Sequence, residues 1–176
     1  MKRTSLWKRG IGLLLVSALL AAAAAALAGC GTDIIPSGTA QLGNLTEGLT
    51  PNKVTVNVDM DEQSVLITDF ALRLLRASRR EGESTLVSPL SVLYALAMTA
   101  NGAEGETKGQ IESAPGLRIE ELNEYLYGYN VMLPQGWNSK IGIANSIWLN
   151  EAKQTSVKAD FLQANVDYLR ADVYRV

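Results

Sequence analysis

Residues 86–111, LVSPLSVLYALAMTANGAEGETKGQI, carry the reading on which the fold turns. Ser88 and Pro89 make a helix start. The serine hydroxyl accepts from an orphan amide, and the proline takes the first helical position, where no N–H is needed. From Leu90 to Ala100 nearly every residue is apolar, so no wide polar face can be drawn and burial on most sides is predicted. At about eleven residues the helix is too short to cross a bilayer. Asn101-Gly102 predicts a left-handed stop at its end. The rest of the domain must pack around this helix, which carries two hydroxyls, Ser88 and Ser91, in its first turn.

Composition narrows the chemistry. The chain of 176 residues has one cysteine and no histidine. No Ser-His-Asp or Cys-His pair, no histidine metal site and no intramolecular disulfide can be built from it. Neither a cofactor nor a metal is expected, and an enzyme is disfavoured. The formal net charge of −2 gives no footprint for nucleic acid. Four of the 16 basic residues, Lys2, Arg3, Lys8 and Arg9, stand in the first ten positions, which leaves the remainder acidic.

On either side of the central helix, the periodicities place further elements. Val65 to Arg80 puts Ile67, Phe70, Leu74 and Leu75 on one stripe, with Arg73, Arg76, Arg79 and Arg80 read as a solvated face. Ser84 to Val87 is predicted as a short strand. The glycines from Gly102 to Gly109 lack the P-loop pattern and follow a helix rather than a strand, so they are read as a stop followed by a second short helix, Glu106 to Ile111. Ile119 to Leu133 carries Leu122, Leu126 and Tyr129 at helical spacing, with acidic residues in the first turn. Ile141 to Asn150 alternates and looks apolar on both faces, which predicts an interior strand. Asn145 falls in line with isoleucines there and is read as a hydrogen-bonded structural amide. Val157 to Val166 is a predicted helix, and Val166 to Tyr174 is taken as a strand only on the resemblance given below.

The N-terminal third is of another kind. A basic start, an apolar run from Ile11 to Leu27, and Ala28-Gly29 before Cys30 describe a secretory signal over 1–29. Leu27-Ala28-Gly29-Cys30 resembles a bacterial lipobox, in which Cys30 becomes the lipidated N-terminus. Lipid chains would then hold the protein on the outer face of a bacterial membrane. The competing reading is an ordinary signal peptide or membrane anchor with Cys30 a bystander. Residues 30–63 are rich in Gly, Thr, Ser, Pro and Asn and are read as a flexible tether, with a short strand conceivable over Val54–Val58.

S-P-L-S at 88–91, A-L-A-M at 95–98, N-G-A-x-G-E-T-x-x-Q-I at 101–111 and A-N-S-I-W at 144–148 resemble, in order, the serpins. These are metastable proteins, mostly inhibitors of serine and cysteine proteases. The resemblance implies an α+β serpin fold, N-terminal third only, with helices A to E and the first strands of sheets A and B in residues 64–176. It implies a serine or cysteine protease as partner of the full-length parent, and places Ser88 and Ser91, with Asn145, near the region beneath sheet A that opens for loop insertion. The segment resembling helix D has no Lys or Arg between Glu120 and Leu133, which argues against heparin. No stretch matches the reactive loop or the C-terminal strands, so an incomplete chain is expected, and residues 31–176 are not expected to fold alone as a cooperative soluble monomer. A non-inhibitory, serpin-fold binding or structural lipoprotein is the alternative.

Overall fold

The computed structural model describes residues 43–153 and 156–176. The signal sequence predicted over 1–29 and Cys30 lie outside the described residues.

In chain order the elements are strand β1 (Gly43–Asn44), helices α1 (Met60–Ser78), α2 (Pro89–Ala100), α3 (Gly105–Ser113) and α4 (Ile119–Met132), strand β2 (Asn145–Leu149), a 3-10 turn (Glu151–Lys153), helix α5 (Ala159–Leu169) and strand β3 (Ala171–Arg175). Ser88 caps α2 and Pro89 opens it, as the local chemistry dictates. Asp59 caps α1 through Oδ1, which accepts from the amides of Asp61 at 2.9 Å and Glu62 at 3.1 Å. Phe70 of α1, Leu93, Tyr94 and Ala97 of α2, Leu122, Tyr125 and Leu126 of α4, and Leu169 of α5 form one core. Tyr94 is buried to its hydroxyl, which donates to the carbonyl of Leu126 at 3.2 Å.

The sheet has the order β1-β3-β2. β2 and β3 run parallel from Asn145↔Ala171 to Leu149↔Arg175, joined by α5, while β1 pairs antiparallel with β3. A parallel pair requires a crossover of this kind, since a tight turn cannot reverse the chain twice.

Several expectations are corrected. α1 begins five residues before Val65, because Asp59 supplies a cap that the apolar stripe alone does not reveal. Leu75 is exposed, whereas Ile67, Phe70 and Leu74 face the core. Residues 43–63, predicted as part of a tether, are bonded to the body. Asn52 donates to Asp167 and Asn57 to Glu124. Val54–Val58 is no strand, although Val54, Val56 and Val58 turn inward alternately. The strand predicted at Ser84–Val87 is not formed. That stretch has no sheet partner, and Leu86 is 99% exposed.

β2 is shorter than predicted and lies at the edge of the described sheet, covered on one face only. Asn145, Ile147 and Leu149 are half-buried, while Ser146 and Trp148 face outward. Trp148 there stacks on Tyr174 of β3, with ring centroids 4.7 Å apart. α5 continues through Leu169, and Arg170 turns left-handed at φ 49° before β3 starts at Ala171, so Val166 to Leu169 is helix rather than strand.

The stop after α2 is also not the predicted one. Asn101 is right-handed and Gly102 has no positive φ. A Cβ on Gly102 would lie 3.1 Å from two ring carbons of Phe161, so the glycine serves close approach of α5. The left-handed glycine comes three residues later, at Gly105, with φ 59°.

Candidate functional site

Ser88 and Ser91 meet at the start of α2. Their hydroxyls are 2.7 Å apart, and the Ser91 amide donates to the Ser88 hydroxyl at 3.4 Å. Both are exposed, as are Ala95 and Thr99 on the same side of the helix. The prediction of burial on most sides is thereby corrected. α2 is buried through Leu93, Tyr94, Ala97 and Ala100 and keeps one open stripe of small residues. Asn145 donates to the carbonyl of Leu169 at 3.3 Å, tying the start of β2 to the end of α5. No hydrogen bond joins it to either serine among the described residues.

A cavity of about 610 Å³ opens between the turn after α2, the first turn of α4 and the start of α5. Phe161, Tyr168 and Leu149 supply its apolar wall. Behind it runs a chain of amides that sequence reasoning did not single out. Asn165 donates to the carbonyl of Phe161 at 2.8 Å, Asn101 to Asn165 at 3.4 Å, and Asn123 to Asn101 at 2.8 Å. A legible signal existed, since Asn123 and Asn165 stand beside core positions of otherwise apolar helix faces, where a polar residue needs a partner.

The charged rim of the cavity is largely self-neutralised. Lys108 lies 3.1 Å from Glu120, and Lys158 lies 2.7 Å from Glu104. The hydrogen bond from Lys158 lowers the pKa of Glu104, and the Lys158 pKa rises in turn. Glu120 is lowered first by a hydrogen bond from its own amide and then by Lys108. In the core, burial pushes the Tyr94 phenol up to about 12. Among the described residues, no cluster of three or more His, Cys, Asp or Glu is placed to hold a metal ion, and no helix is long and apolar enough to cross a membrane.

Residues 66–176 match the family model described as "Serpin (serine protease inhibitor)". The structure is similar to the crystal structure of a thermophilic serpin, tengpin, in the latent state. Identity is 41% and the TM-score 0.60, over 72% of this chain and 34% of that one. The chain therefore spans about a third of the length of this relative. No curated protein matches it.

Proposed function

The chain belongs to the serpin family, and from that premise we propose that the intact gene product is a protease inhibitor of the serpin type, tethered to a membrane surface. The observation that carries this reading is the agreement of the family match over residues 66–176 with a shared fold at 41% identity. The residues described belong to the platform of such an inhibitor. In the family, a protease attacks an exposed loop, forms an acyl-enzyme, and is carried along as the cut loop enters sheet A. Ser88 and Ser91 on the open stripe of α2 would lie beneath that sheet, and the outer edge of β2 would meet its next strand. The described residues would form part of such an inhibitor, and by themselves they are not expected to inhibit or to fold cooperatively.

Incubating the intact gene product with a panel of serine and cysteine proteases tests the reading. A denaturant-stable covalent complex with at least one protease is expected. Cleavage of the protein as a plain substrate by every protease tried would refute inhibition and favour a non-inhibitory serpin-fold lipoprotein.

The tether belongs to the same proposal. A basic start, an apolar run and the only cysteine at Leu27-Ala28-Gly29-Cys30 support lipidation of Cys30 and placement on the outer face of a bacterial membrane. Labelled palmitate should enter the protein in growing cells and should be lost in Cys30→Ser. Equal labelling of the variant would refute it.

A further inference from the structure

β3 carries the inward residues Ala171 and Val173, both essentially buried, and β2 satisfies only one of its two edges. A strand of this composition with an open edge is a template for another chain. Here that edge is occupied from within. Gly43 and Asn44 pair with Arg175 and Tyr174, and the Leu45 amide continues the ladder to the Val173 carbonyl at 2.8 Å.

The next rung is a side chain. The Val173 amide donates to the Thr46 hydroxyl oxygen at 3.2 Å. That hydroxyl has one proton to give, and the Asn44 amide oxygen at 2.7 Å is nearer than Asp172 at 3.3 Å. The Thr46 amide also donates to Asn44, at 2.9 Å, so the turn is closed on itself. Thr46 is only 5% exposed, which makes it the single deeply buried residue among the described residues 43–59 before α1.

Beyond Thr46 the segment is fastened again. The amide and side chain of Asn52 both donate to the Asp167 carboxylate, at 2.8 and 3.0 Å. Asn57 grips Glu124 in the same way, at 2.7 and 3.5 Å. Gly128 of α4 leaves room for Met60, whose sulfur a Cβ there would meet at 3.0 Å. A spacer with no structural task has no need of two carboxylate clamps and a buried threonine.

We propose that residues 43–46 are an edge cap, latched by the Thr46 hydroxyl, that closes the outer side of β3 against strand addition by a second copy of this chain. The latch replaces a ladder bond, so it can be removed without touching the core.

The test uses the intact gene product and two variants, Thr46→Val and Leu45→Pro. Thr46→Val keeps the shape and removes the acceptor for the Val173 amide. Leu45→Pro removes the donor to the Val173 carbonyl. In Thr46→Val, hydrogen exchange at Val173 should quicken about tenfold, the loss of one hydrogen bond, while Leu126 in the core is unchanged. Leu45→Pro should form oligomers detected by light scattering. Excess capped peptide of residues 42–47 should return them to monomer, and a scrambled peptide should not. Unchanged exchange at Val173, equal loss of protection at Leu126, a monomeric Leu45→Pro, or oligomers indifferent to the peptide would each overturn the proposal.

Discussion

Replacing Gly102 by alanine separates two reasons for a glycine after α2. The added Cβ would stand 3.1 Å from Cδ2 and Cε2 of Phe161 and 3.7 Å from the Thr99 carbonyl oxygen. Carbon atoms rest comfortably at roughly 3.5–4.0 Å, so two ring contacts are too short by about half an ångström. Overpacking of this sort costs about 1–3 kcal/mol. Phe161 is half-buried and faces the 610 Å³ cavity, so its ring can tilt outward, which places the cost near the low end, about 1 kcal/mol.

The assay is a double-mutant cycle from urea midpoints of the intact gene product, with Phe161→Ala as the second change. Without the ring, Gly102→Ala should cost almost nothing, giving a coupling of about 1 kcal/mol. Gly105→Ala is the control. Its site is empty within 4 Å but has φ 59°, so the substitution should cost about 1–2 kcal/mol and be independent of Phe161. A Gly102–Phe161 coupling below about 0.3 kcal/mol would refute close approach as the reason for the glycine.

Leu126→Ala should lose about 2–5 kcal/mol, because Leu126 is fully buried where α2 and α4 meet, whereas Leu72→Ala on exposed α1 should stay within about 0.5 kcal/mol; urea midpoints compare them. The Tyr94 phenol, raised to about 12 by burial, keeps its proton better in the folded state. Its stabilisation is therefore full below about 10 and is lost as pH rises toward 12, and Tyr94→Phe should blunt that alkaline fall in thermal melts. Asp167 is lowered by the hydrogen bonds of Asn52 and Gln163, which outweigh its partial burial. Its contribution is present above the unfolded value of about 3.9 and is lost as pH drops through the lower folded value, so Asn52→Ala should flatten the acid limb of a stability–pH curve.

Where an element depends on its neighbours in sequence, the prediction and the structure agree. Ser88-Pro89 starts α2, and the runs predicted from Glu106 and Ile119 appear as α3 and α4 with ends displaced by at most two residues. Caps, proline and helical spacing act within one or two turns, so a single chain displays them. The family motifs are legible for a related reason, since S-P-L-S and A-N-S-I-W are short and contiguous.

Apart from the start of α1, which the local Asp59 cap sets, what failed depends on partners far along the chain. Residues 141–144 alternate as strand residues do, yet only 145–149 find β3 to pair with. Val166 to Leu169 suits helix or strand, and the left-handed Arg170 decides where one gives way to the other. Ser84–Val87 has strand composition but no sheet beside it among the described residues. The segment before α1 reads as polar spacer, and only its hydrogen bonds to Val173, Asp167 and Glu124 make it part of the body.

The candidate site divides in the same way. Ser88 and Ser91 are legible as cap and neighbour, because they lie in one turn. Asn123 and Asn165 are legible singly, as polar residues on apolar helix faces, but their joining with Asn101 is not, since three helices must dock before the members touch. By itself the sequence determined the family and the central helix, both of which rest on local patterns. The tertiary structure alone decided that Gly102 yields to a ring, that α2 keeps an open stripe and that Thr46 latches the sheet. Each of those depends on atoms brought together across many residues of chain, and burial and hydrogen bonding act on distance in space rather than on order in sequence.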